Sequence, residues 1–119
     1  MKTILIVDDE DSLRKGMAMT LTKKGYRALE AEDGMVGLSV ATEQKPDLII
    51  SDVYMDNMNG FIMVENLQQD PETAAIPVIL MTSAAQAAGA WTVVGAVEYM
   101  NKPFTMDALL TTVKRVLKE

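Results

Sequence analysis

Histidine and cysteine are both absent from this chain of 119 residues. The commonest general base and the nitrogen and sulfur metal ligands are therefore missing. Any chemistry must run on carboxylates, hydroxyls and lysines. Four places offer such groups at or just past the ends of runs that read as strands. Asp8 and Asp9 follow Thr3–Val7, Asp52 follows Leu48-Ile49-Ile50, Thr82 and Ser83 follow Ile76–Met81, and Lys102-Pro103 follows Ala96–Met100. A carboxylate can be a hard oxygen ligand for a divalent cation or a nucleophile that forms an aspartyl-phosphate. Lysine and threonine can neutralise or hold the oxygens of a transferring phosphoryl group.

These residues need elements to bring them together, and the pattern supplies strand and helix in alternation. Thr3–Val7 is a continuous β-branched and leucine run, suited to a strand buried on both faces. From Asp11 to Lys24, Leu13, Met17 and Leu21 mark one stripe of a helix, which Gly25 ends. Tyr26–Ala31 is a short second strand. Asp33 caps a helix over Gly34–Glu43, with Gly34 and Gly37 lowering its propensity, and Lys45-Pro46-Asp47 breaks it. Leu48–Ile50 is the third strand. Asn59 caps a helix over Gly60–Gln68, closed by Asp70-Pro71. Ile76–Met81 is the fourth strand, Ser83–Val94 a helix and Ala96–Met100 the fifth strand. Thr105 caps a last helix with Leu109, Val113, Val116 and Leu117 on one face.

Such alternation predicts an α/β fold, a parallel sheet covered on both sides. Right-handed crossovers put the C-terminal ends of all strands on one edge, where ligands bind in such folds. Taken singly, each polar group has a plainer reading. Asp8–Asp11 suits a helix N-terminus, Thr82-Ser83 an N-cap, Asp52 a turn, and Lys102 a solvated surface. Those readings do not explain why four strands deliver polar or charged residues to one edge. Three carboxylates gathered there repel one another, by about 4 kcal/mol for a pair at ~4 Å in an effective dielectric near 20. Lys102 offsets one charge, and a magnesium ion with oxygen ligands offsets the remainder.

Composition narrows the classes. The net charge of −6 and the lack of a basic patch argue against direct binding of nucleic acid. No apolar run nears the ~20 residues of a membrane helix, and Met1-Lys2-Thr3-Ile4 does not read as a signal peptide. A cytoplasmic location and no membrane insertion follow by default.

The chain resembles the receiver domains of two-component response regulators, and is close in size to the single-domain chemotaxis regulator. The segments that carry the resemblance are ILIVDDED (Ile4–Asp11), DLIISDVYMDNMNG (Asp47–Gly60), IPVILMTSA (Ile76–Ala84) and GAVEYMNKPF (Gly95–Phe104). Their order and spacing cover essentially all of residues 1–119. The resemblance implies a flavodoxin-like (βα)5 doubly wound sheet in one domain, with strand order 2-1-3-4-5. It implies that Asp52 is the phosphoacceptor, and that Asp9, Asp52 and the backbone carbonyl of Tyr54 bind magnesium, with Asp8 helping through water. It implies that Thr82 and Lys102 contact the phosphoryl group. Tyr99 stands where the family keeps its switch aromatic, so Thr82 and Tyr99 would move together. The face built by the fourth helix, fifth strand and fifth helix would then change partners. The implied phosphodonor is a phosphohistidine on a sensor histidine kinase or histidine phosphotransfer protein. The output is a downstream protein target, and the chain a monomer or weak dimer.

Three features depart from the family pattern. Asp56 stands where proline is usual, which adds a fourth acid and loosens the loop. The stretch from Thr82 to Gly95 is about two residues short and contains Gly89, so the fourth helix is expected to be short or displaced. Tyr54 and Ala84 occupy the positions two residues past Asp52 and Thr82 that influence aspartyl-phosphate hydrolysis, and a bulky Tyr54 implies slow loss of phosphate.

Other functions fit less well. A receiver excised from a longer regulator, with a DNA-binding or enzymatic output domain, would read the same way. A phosphatase using an aspartyl-phosphate needs a second acid two residues after the nucleophile, where Tyr54 stands. A flavin-binding module of this architecture needs a phosphate-cradling loop after the first strand, and Asp8-Asp9-Glu10-Asp11 would repel it. The expected role is a signalling switch that catalyses only its own phosphorylation and dephosphorylation.

Overall fold

The first strand, β1 (Thr3–Val7), lies inside a five-stranded parallel sheet in a computed structural model that describes residues 1–83 and 95–119. The other strands are β2 (Arg27–Ala31), β3 (Leu48–Asp52), β4 (Val78–Thr82) and β5 (Glu98–Asn101), in the order β2-β1-β3-β4-β5. All four ladders are parallel. Ile4, Leu5, Ile6 and Val7 are all fully buried, as a strand covered on both faces requires.

Strand alternation sorts the core into two layers. Ile4, Ile6, Leu48, Ile50, Ile79 and Met81 face α1 (Asp11–Lys23) and α4 (Met106–Leu117). Leu5, Val7, Ile49, Val78 and Leu80 face α2 (Gly34–Gln44) and α3 (Gly60–Gln69). This is the doubly wound arrangement expected from the sequence. The expected fourth helix, Ser83–Val94, lies outside the described residues from position 84 on, and with it Ala84 and Gly89. Among the described residues no helix is long and apolar enough to cross a membrane.

Local signals account for most boundaries. Gly25, at φ +93°, takes the left-handed position after α1. Tyr26 N donates to Leu21 O and Gly25 N to Thr22 O, the paired bonds of a Schellman end. Tyr26 therefore belongs to the helix stop, and β2 begins at Arg27. Asp33, Asn59 and Thr105 accept from the backbone N of Val36, Ile62 and Ala108, as N-caps do. The fourth strand begins at Val78 and not at Ile76, because Ile76 N donates to Thr73 O in a turn and Pro77 has no N–H. The third strand runs two residues past Ile50, so Asp52 is its last residue, in register with Met81. The fifth begins at Glu98, two residues later than its apolar content suggests. Gly37 does not prevent α2, since a Cβ there would press on Val7 and Met63 across a close helix–sheet contact.

Candidate functional site

Strand order reverses between β1 and β3, the two strands that carry the aspartates to the C-terminal edge. Asp8 is fully buried just past β1, and Asp52 is 8% exposed at the end of β3. Asp9 is exposed beside them. One carboxylate oxygen from each of the three lies within 4.8 Å of the others.

Lys102 comes to this cluster from the end of β5. Its Nζ donates to Asp8 Oδ2 at 2.9 Å and to Asp52 Oδ2 at 3.2 Å. The other oxygens are held by main-chain donors: Asp8 Oδ1 accepts from Glu10 N, and Asp52 Oδ1 from Val53 N, each at 2.8 Å. One ammonium donates to both carboxylates but carries a single charge, so it cannot neutralise both. Burial pushes the Asp52 carboxyl above its ordinary range. The Lys102 charge opposes this, the Asp8 charge adds to it, and the net direction is up. Burial works against the Lys102 charge as well, but its bond to Asp8 and the charges of both aspartates outweigh that and hold the ammonium above its ordinary range.

Gly60, at the start of α3, lets that helix pass close to the end of β3. A Cβ at Gly60 would collide with the carbonyl oxygen of Asp52, and Gly60 N donates to Val53 O at 2.7 Å. The intervening loop holds Tyr54, half exposed, and Asp56, exposed. Asn57 adopts φ +68° and donates from Nδ2 to Asp33 Oδ2 at 2.7 Å. Gly34 N donates to Met58 O at 3.1 Å. The loop with Asp56 in place of the usual proline is thus fastened to the start of α2. Asp56, Asn57, Asp9, Asp11, Glu32 and Asp33 line an acidic cleft of about 330 Å³.

Thr82 is buried at the end of β4, and its carbonyl accepts from Lys102 N at 3.1 Å. The half-buried Tyr99 places its hydroxyl 3.1 Å from the same carbonyl and 3.2 Å from Asn101 Oδ1. The structure therefore brings Asp8, Asp9, Asp52, Thr82, Lys102 and Tyr99 to the predicted edge. Beside them, Lys102, Glu10, Leu13, Ser83, Pro103 and Phe104 line an open groove of about 360 Å³. The Lys102–Pro103 peptide is cis.

Sequence reasoning missed Arg14 and the Asn57–Asp33 bond. Arg14 Nη1 donates to the carbonyl of Asp8 at 2.8 Å from a buried position on α1. Its spacing to Met17, Ala18 and Leu21 puts it on the core stripe, a signal that was readable. The Asn57 contact spans 24 residues and leaves no local signature.

The model of the response regulator receiver domain matches residues 4–114. The chain belongs to that family. This receiver domain is 39% identical to protein PilH of Pseudomonas aeruginosa over 119 residues, covering 98% of each chain. It is 37% identical to the phosphate regulon transcriptional regulatory protein PhoB of the same organism, covering 98% of this chain and 52% of that protein. Among solved structures, the chemotaxis response regulator CheY4 of Vibrio cholerae superposes with a TM-score of 0.92 at 34% identity, covering 98% of each chain. Response regulator TrrA of Thermotoga maritima, in complex with Mg2+-BeF, superposes with a TM-score of 0.87 at 29% identity, covering 98% of this chain and 99% of that one. Receiver domains are signalling switches of two-component systems, generally not enzymes, and they interact with histidine kinases or phosphotransfer proteins.

Proposed function

We propose that this receiver, taken over residues 1–119, is switched by transfer of a phosphoryl group to Asp52. The observation that carries the reading is the shared ammonium: Lys102 bridges Asp8 and Asp52 while Asp9 closes the carboxylate cluster. The donor is a phosphohistidine on a sensor histidine kinase or histidine phosphotransfer protein. The P–N bond to the imidazole breaks, a P–O bond to an Asp52 oxygen forms, and the freed imidazole takes up a proton.

The donor set suits magnesium, since it offers three hard carboxylates, one of them exposed and open to solvent. Asp9, Asp52 and the Tyr54 carbonyl would hold the ion, with Asp8 acting through water. A magnesium complex of the similar TrrA structure supports this. When bound, magnesium neutralises charge on the phosphoryl oxygens. Lys102 holds one phosphoryl oxygen and the Thr82 hydroxyl another, so the chain's own groups orient the acceptor. Tyr99 reports the event: its hydroxyl rests on the Thr82 carbonyl, so movement of Thr82 toward a phosphoryl group removes or redirects that bond. β5 and the last helix, joined by Arg115 and Glu98, then present a changed face to a downstream protein.

Incubation with a small phosphodonor, with and without magnesium, followed by intact-mass measurement, tests the reading. Wild type gains one phosphoryl mass only with magnesium, and folded Asp52→Asn gains none. A folded wild type that stays unmodified defeats it.

A further inference from the structure

Arg14 is a buried charge that the phosphoryl-transfer reading does not use. It is 7% exposed, on the face of α1 that carries Met17, Ala18 and Leu21. Each of its three guanidinium nitrogens serves a different acceptor. Nη1 donates to Asp8 O at 2.8 Å, Nη2 pairs with Asp11 Oδ1 at 2.7 Å, and Nε donates to Glu30 Oε1 at 3.0 Å. A planar fork satisfied in three directions ties the end of β1, the first turn of α1 and β2 to one another.

We propose that Arg14 is a positioning residue for the carboxylate cluster, holding the Asp8–Asp9 peptide so that both side chains face Asp52. The inference rests on the magnesium site of the preceding reading. The carbonyl that Arg14 grips belongs to the peptide plane joining Asp8 to Asp9, so its direction sets where Asp9 starts. The rest of Asp8 is already fixed. Its N donates to Ala31 O at 3.1 Å, Oδ1 accepts from Glu10 N and Oδ2 from Lys102. Loss of Arg14 leaves a buried carbonyl without its donor, at a cost of about 1–3 kcal/mol. Turning that plane to find another donor carries Asp9 away from the cluster.

Charge alone predicts the opposite sign. Arg14 is positive and bound to the segment that supplies two of the three carboxylates, so removing it for its charge would tighten binding of a divalent cation. Removing it as a positioner weakens binding. Magnesium titration by calorimetry on wild type, Arg14→Ala and Arg14→Lys separates the two, with thermal melting in EDTA to establish that each is folded. The expected result is a loss of about tenfold or more in affinity for Arg14→Ala, the scale of lost second-layer support at metal sites. Arg14→Lys restores the charge but not the three-way fork and stays several-fold weak. If Arg14→Ala does not fold, Arg14→Lys carries the comparison. A folded variant that binds magnesium as tightly as wild type, or more tightly, overturns the positioning role alone. Failure of wild type to bind overturns the metal site, and the positioning role with it.

Discussion

Lys102 Nζ stands 2.9 Å from Asp8 Oδ2, joining residues 94 apart in sequence. The longer bond, 3.2 Å, goes to Asp52. The fully buried Asp8 takes the shorter bond of the shared ammonium, and the proposed acceptor takes the longer one.

Replacing Lys102 by methionine therefore does more than remove a phosphate contact. It leaves Asp8 and Asp52 buried together without their shared cation. Breaking one side of a buried ion pair costs about 3–5 kcal/mol. Urea unfolding of Lys102→Met at neutral pH without magnesium is expected to show a loss near the lower end of that range, since the ammonium is partly exposed. Magnesium is expected to narrow the gap.

Asp52→Asn acts in the other direction. The Asp52 carboxyl titrates above its ordinary range because burial, and then the Asp8 charge, disfavour its ionised form. A raised folded pKa means that stability is fully present below the unfolded value, near 4, and is lost as pH rises through the folded one. Asparagine escapes that loss and can still accept from Val53 N. Without magnesium, Asp52→Asn is expected to melt a few degrees above wild type at pH 7. The difference should close as pH falls below about 4. Coincident melting curves at pH 7 would contradict the assignment of the strain to Asp52.

Much of this arrangement is written locally, and some of it is not. The caps at Asp33, Asn59 and Thr105 are legible because a short polar side chain before an apolar helical stripe has one efficient use. The convergence of Asp8, Asp52, Thr82 and Lys102 follows from parallel strands, which put every C-terminal end on one edge. Register does not follow from composition. Ile76 looks like strand, yet its N–H is taken by Thr73 and the ladder waits for Val78. Arg14 lies on the apolar stripe of α1, which is legible, but the backbone carbonyl that it grips has no sequence signature. The same holds for Asn57, whose partner Asp33 belongs to another turn.

That Asn57–Asp33 bond gives Asp33 two tasks. It caps α2 through Val36 N and fastens the Asp56 loop through Asn57, and these bonds, Val36 first, hold its carboxyl below the ordinary carboxylate range. A depressed folded pKa contributes stability above the unfolded value and loses it as pH falls through the folded one. Asp33→Ala is expected to cost about 1–2 kcal/mol at pH 7. Denaturant midpoints of variant and wild type should converge as pH falls below about 4. A difference that stays constant however far the pH is lowered would mean that packing, and not these bonds, carries the effect.

Tyr54 sets the last expectation. It lies two residues past Asp52 in the loop that also carries Asp56, and half of its surface faces solvent. A phosphoryl group on Asp52 would sit beside it, and a water that attacks the phosphorus must approach from the open side. A bulky ring there obstructs that approach, whereas the alanine methyl does not. Tyr54→Ala is therefore expected to shorten the lifetime of the aspartyl-phosphate several-fold while leaving fold and magnesium affinity unchanged, because the carbonyl proposed as a ligand is retained. The decay of intact phosphorylated mass after removal of the phosphodonor measures it. A lifetime equal to that of wild type would show that the ring does not limit water, and would move control of hydrolysis to other groups around Asp52.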